Sequence, residues 1–175
     1  MITAKNNGVS KNEMAEIITH LAFYAGWPNA WAAFRVAKDV YSDDENLANP
    51  MFGLGEENKA FEKYFTGKSY LKHLAKGVYN ATFEPKCRNN WHTHKAKSGG
   101  GQILLCVNGE GWYQEENQKA ISLTPGEVVT IKPNVKHWHG AKKDSWFSHV
   151  AIEVDGKKCE NLWLEKVSDE EYDKL

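Results

Sequence analysis

From about Phe61 onward the chain is a run of short, alternating apolar and polar stretches punctuated by turn residues, and this regularity constrains its fold more than any other feature. Strands are expected at 69–74, 78–83, 90–95, 102–108, 111–116, 118–123, 127–132, 136–141 and 146–154. Asn108-Gly109 and Pro125-Gly126 are turn dipeptides between neighbouring strands. Many short strands at even spacing predict an antiparallel sandwich or barrel.

Two histidine pairs sit inside this pattern. One is His92-Thr93-His94, and the other is His137-Trp138-His139, just after Pro133. Residues i and i+2 of a strand face the same way. Each pair can therefore aim two imidazoles at one point. Imidazoles converging from separate strands suit a divalent transition metal. One such pair could be mere polar alternation, but two pairs in one β region favour a metal site. Cys106 reads as a small core residue of its strand. Trp112, Trp138, Trp146 and Phe147 read first as barrel core. His20 and His73 lie away from the pairs and read as structural or surface residues.

The first 60 residues have a different grammar. Residues 1–9 read as a loose terminus. Ser10-Lys11-Asn12-Glu13 fits a capping box, followed by Met14, Ile17, Ile18 and Leu21 at helical spacing. Gly26-Trp27-Pro28 ends that helix, and Asn29 is placed to cap the next. Trp31, Phe34, Ala37 and Tyr41 then mark one face. The expected organisation is a helical hairpin over 1–45, a linker over 46–60 and a barrel with its tail over 61–175. The linker follows an acidic stretch, Ser42-Asp43-Asp44-Glu45-Asn46, and contains Asn49-Pro50. A two-helix hairpin cannot bury Trp27, Trp31 and Phe34 alone, so it must dock on the remainder of the chain or on another copy, and a homo-oligomer of two or more copies is expected.

Composition narrows the function classes. The 175 residues carry 22 Lys and Arg against 23 Asp and Glu, a formal net charge of −1, which argues against a nucleic-acid partner. Lys132, Lys136, Lys142 and Lys143 read as solvated loop charges rather than a phosphate track. Three cysteines, without a CxxC, fit a reduced, cytoplasmic setting. No basic-then-apolar leader and no membrane-length apolar run are seen, so no membrane partner is expected.

Residues 78–154 resemble a cupin, a double-stranded β-helix barrel. The first cupin motif reads here as His92-Thr93-His94, Gln102 and Gly109. The second runs from Gly126 through Pro133 to His137. The resemblance implies His92, His94, Gln102 and His137 as metal ligands, for manganese, iron, cobalt, nickel or zinc. Cupins usually carry glutamate where Gln102 stands. Glutamine there, together with Thr82-Phe83-Glu84-Pro85, Trp91-His92-Thr93-His94, His137-Trp138-His139-Gly140-Ala141 and Ser168-Asp169-Glu170-Glu171-Tyr172, resembles the subset related to bacterial hydroxynitrile lyases. The segment 95–101 is longer than in many cupins and reads as a flexible loop at the barrel mouth. Residues 17–28 resemble the closing helices of the carboxymuconolactone decarboxylase family. That family's upstream helices and active residues have no counterpart here, so no decarboxylase activity is transferred.

The function expected is that of a metal-dependent enzyme acting on a small organic molecule. Lyase chemistry beside a carbonyl or hydroxyl comes first, with His139 and His149 moving protons. A neutral Gln102 would leave a divalent ion with a formal charge near +2, suited to an anionic or carbonyl oxygen or cyanide. An Fe(II) oxygenase, and a non-catalytic module binding metal or a small ligand, are the alternatives.

Overall fold

The structure, a computed structural model, describes residues 1–41 and 51–175. It divides into two compact units, Met1–Leu47 and Ala48–Leu175. The acidic stretch 42–46 and Asn49-Pro50 lie outside the described residues. Among those described, no helix is long and apolar enough to cross a membrane.

The first unit is helical: α1 spans Ile2–Asn6, α2 Lys11–Ala25 and α3 Trp27–Val40. The terminus expected to be loose instead forms α1. Lys5 Nζ donates to the Val40 carbonyl at 2.9 Å and Tyr41 donates to the Val9 carbonyl at 3.0 Å, tying it to the end of α3. The capping box forms at α2. The Glu13 amide donates to Ser10 Oγ at 3.2 Å, and the Ser10 amide donates back to the Glu13 carboxylate at 2.8 Å. Asn29 does not cap α3. Gly26 does, in a left-handed φ of 80°, and Pro28 sits in the first turn where it forfeits no bond. The Asn29 amide instead donates to the Ala25 carbonyl at 2.8 Å.

The buried stripe of this unit also departs from expectation. Met14, Ile18, Ala22, Ala30, Ala37 and Tyr41 are buried, and several are small enough for close helix approach. Ile17, Leu21, Trp31 and Phe34 are not buried, with Trp31 60% exposed. Among the described residues these side chains stay exposed.

The second unit is β-rich, and its long pairings are antiparallel. One sheet runs in the order Glu56–Glu57, Ser69–Ala75, Val78–Phe83, Phe147–Glu153, Gln102–Gly109, Val128–Ile131. The other runs Ile121–Leu123, Gly111–Glu115, His137–Ala141, Arg88–Asn89, Phe65–Thr66, and His92–Lys95 joins it between His137–Ala141 and Glu160–Trp163. This curled pair of sheets, preceded in sequence by the helices, is the mainly β barrel expected. Ala81, Phe83, Leu104, Cys106, Tyr113, Ile131 and Phe147 form its core. Trp138 packs instead with Trp91, Val167 and Tyr172, where the C-terminal helix α4 (Asp169–Tyr172) caps the outside of the sheet.

Two turns show why glycine is needed. Gly109 has φ 66°, and a Cβ there would lie 1.8 Å from the Trp146 carbonyl oxygen. Gly101 has φ 98°, and its Cβ would lie 2.3 Å from the Ile131 carbonyl oxygen. The segment 95–101 is not a free loop: Ser98–Gly99 pairs with Gly156–Lys157. The lysines read as solvated charges mostly have acidic partners. Lys136 meets Glu116 and Glu165, Lys142 meets Glu110, and Lys143 meets Asp173.

Candidate metal centre

Strand register builds the site. His137 stands opposite His92 across one antiparallel pair, and Trp163 and Asn161 stand opposite His92 and His94 across the other. One ring nitrogen from each of His92, His94 and His137 lies within 4.8 Å of the others, and all three residues are buried. Small ring rotations would close that spacing around one ion.

The opposite edge of each ring is already held. Nδ1 of His92 bonds the Asn90 carbonyl at 3.0 Å, Nδ1 of His137 the Val135 carbonyl at 2.9 Å, and Nδ1 of His94 the Asn161 Oδ1 at 2.7 Å. These partners only accept, so each Nδ1 carries the proton and each Nε2 keeps its lone pair. Nε2 of His94 and of His137 is buried without any hydrogen-bond partner. Leaving such atoms unpaired costs about 1–3 kcal/mol each. A shared cation would resolve both deficits, so the residues fit a metal. Burial holds all three rings below the ordinary histidine range, and His137 is pushed down to about 4. They are therefore neutral, ligand-competent imidazoles at pH 7.

Gln102 begins its strand beside His94 and lines the same cavity as His92 and His94. That cavity is about 220 Å³. Phe61, Phe65, Phe83, Tyr79 and Trp163 form its apolar walls. None of the four aromatics first read as core lines it. Trp163 stacks on Tyr64 with ring centroids 4.7 Å apart and lies 4.8 Å from the His92 ring.

His139 and His149 also line the cavity, with rings 4.8 Å apart, and His139 lies 5.6 Å from His92. Both are desolvated and held well below the ordinary histidine range, His149 at about 3. A register shift beside His149 leaves Val107 of the neighbouring strand without an opposite residue, a bulge of the sort that re-aims side chains near sites. Asn89 decides the tautomer of His139. Its Oδ1 accepts the His139 backbone amide at 3.0 Å, so its amide nitrogen must face His139 Nε2, 2.9 Å away. Nε2 is thus the acceptor and Nδ1 carries the proton. Nδ1 of His139 and Nδ1 of His149 are both buried without partners.

The sequence reading missed Asn89, Asn161, Trp163 and Glu153. Asn161 and Trp163 lie on a four-residue strand, Glu160–Trp163, too short to show periodicity. Glu153 ends a strand that was foreseen, but only the register shows it facing Gln102. His20 and His73 are exposed, and neither lines the cavity.

Comparison with known proteins agrees with this architecture. The chain is 42% identical over 95 residues to an (R)-mandelonitrile lyase of Granulicella tundricola, which spans 53% of this chain and 68% of that protein. It superposes on a cupin-like protein from Thermotoga maritima with a TM-score of 0.63 at 36% identity, covering 72% of this chain and 96% of the other. Residues 2–39 match the carboxymuconolactone decarboxylase family. Over 38 residues the chain is 47% identical to a 4-carboxymuconolactone decarboxylase of Acinetobacter baylyi, but this spans only 22% of the chain and 28% of that enzyme. The chain belongs to the cupins, in the group related to bacterial hydroxynitrile lyases, with an N-terminal segment similar to part of the carboxymuconolactone decarboxylase family.

Proposed function

We infer that the protein is a metal-dependent cupin lyase that breaks or forms a carbon–carbon bond beside the hydroxyl or carbonyl of a small organic molecule, with hydroxynitriles as the first class to test. The observation that carries this reading is a pair of desolvated imidazoles, His139 and His149, whose Nδ1 atoms are buried without partners in one aromatic-walled cavity with His92 and His94. The likeness to a protein named for mandelonitrile cleavage supports it.

His92, His94, His137 and Gln102 would hold the ion. Bound there, a divalent metal would supply Lewis acidity and stabilise negative charge on an oxygen or on cyanide. The protein does the remainder. Trp163 and the phenylalanines bind an apolar body and exclude water. His139, protonated at Nδ1 through its Asn89 contact, donates a hydrogen bond to the reacting oxygen or the departing nitrile. His149, neutral because burial holds its pKa near 3, takes the hydroxyl proton.

Manganese- or iron-loaded protein should release benzaldehyde and cyanide from mandelonitrile, followed by benzaldehyde absorbance. No release with any first-row divalent metal would defeat the lyase reading. Oxygen uptake by the iron-loaded protein in its place would favour the oxygenase, which three neutral imidazoles also suit.

A further inference from the structure

The sequence predicts a site whose ligands are all neutral, and therefore one that attracts anions. The fold changes that balance. Glu153 stands directly across the strand pair from Gln102, where cupins usually carry a ligand carboxylate. It lines the cavity, and His94 feels its charge. A second cavity of about 350 Å³ adjoins the first, and the two share His94, Glu153 and Asn161. This second cavity carries three carboxylates, Glu153, Asp155 and Glu160, against one cation, Lys95. Lys95 is itself 3.9 Å from Glu160. No lysine or arginine lines the inner cavity among the described residues.

We propose that Glu153 and the acidic cavity beside it set substrate specificity, favouring neutral or cationic molecules at the metal centre and disfavouring those with a carboxylate on the end turned toward Glu153. The ligands attract an electron-rich atom at one end of the substrate. The second cavity repels negative charge at the other. Glu153 links the two because it borders both cavities. A neutral cyanohydrin or aldehyde satisfies both conditions, whereas a keto acid or carboxybenzaldehyde does not. The inference rests on the metal-site reading above, but it needs no lyase turnover.

Charges several ångströms apart near a protein surface shift affinity by about tenfold. The test titrates the full chain, loaded with cobalt(II), with three pyridines of one shape: nicotinate, nicotinamide and 3-(aminomethyl)pyridine. Cobalt's visible absorption reports each pyridine nitrogen that reaches the metal. The aminomethyl compound should bind about tenfold more tightly than nicotinate, with nicotinamide between them. Glu153→Gln should narrow that ratio to about threefold or less and leave nicotinamide within about twofold of its original affinity. Equal affinities, a ratio unchanged in Glu153→Gln, or no response to any of the three would overturn the proposal. Charge ordering without mandelonitrile cleavage would sink the lyase reading alone, and cleavage without charge ordering would sink this one alone.

Discussion

The two units solve opposite problems. The barrel buries polar groups: His92, His94, His137, His139 and His149, with Asn80, Asn89 and Asn90, are nearly all inaccessible. The helical unit leaves large apolar groups outside, with Phe23, Tyr24, Trp27 and Trp31 each more than half exposed. Buried polarity costs folding energy unless a partner satisfies it, and proteins keep it where chemistry needs it. Exposed aromatics cost nothing inside the unit but mark a surface waiting for company. On this contrast we propose the reaction for the barrel and association for the helices.

The largest expected effect lies in the barrel. In the proposed lyase, His139→Ala should lower turnover by about 10²–10⁴-fold while metal content stays constant. Undiminished turnover would remove His139 from the mechanism. A smaller effect should follow one step out. Asn161→Leu removes the side chain seated on His94 Nδ1 and should weaken metal binding by about 10–100-fold. Asn161→Asp, still an acceptor, should recover most of it. Equal affinities in all three proteins would show that Asn161 does not orient the ligand.

Acid separates the two units next. The folded barrel holds His137 near 4 and His149 near 3, below the ordinary value of 6.5. The unfolded chain therefore binds more protons between those values. Stability is complete above about pH 6.5, is lost as pH falls toward 4 and 3, and is flat below. At about 1.4 kcal/mol per pKa unit for each of the two histidines, the metal-free barrel should lose about 6 kcal/mol and about 20 °C of melting temperature on going from pH 7 to pH 4. The helical unit buries no histidine among the described residues, so its far-ultraviolet signal should not share that dependence. A barrel melt indifferent to pH would contradict the buried-imidazole account. The mildest expected effect concerns assembly. A chain starting at Met51 should keep its β signature and bind metal but sediment with fewer subunits than the full chain. A monomeric full-length protein would break the assignment of association to the helices.

Much of the barrel was legible because its strands are long enough to stand out between turn residues. Val78–Phe83, Gln102–Gly109 and Phe147–Glu153 each run six residues or more, rich in apolar and β-branched residues, although the first and last bury consecutive residues rather than alternate ones. The histidine pairs were legible because i and i+2 of a strand share a face. Two-residue strands such as Arg88–Asn89 carry no period, so Asn89 and its hold on His139 were invisible. Glu153 was hidden differently, since its meaning comes from the residue opposite and not from its own neighbours. In the hairpin, helical spacing revealed α2 and α3 but misplaced the buried stripe. The expected face of α3 holds at Ala37 and Tyr41, which are buried, but not at Trp31 and Phe34, and close helix packing adds Ala30.

The central claim, that the barrel's buried polarity is a metal centre, is tested most directly by elemental analysis of the full chain purified without added metal, beside the His92→Ala/His94→Ala double variant. The account predicts about one divalent transition metal per native chain and essentially none in the double variant, since two of four ligands are gone. A metal-free native protein that takes up none on reconstitution, or a double variant that still holds one ion per chain, would contradict it.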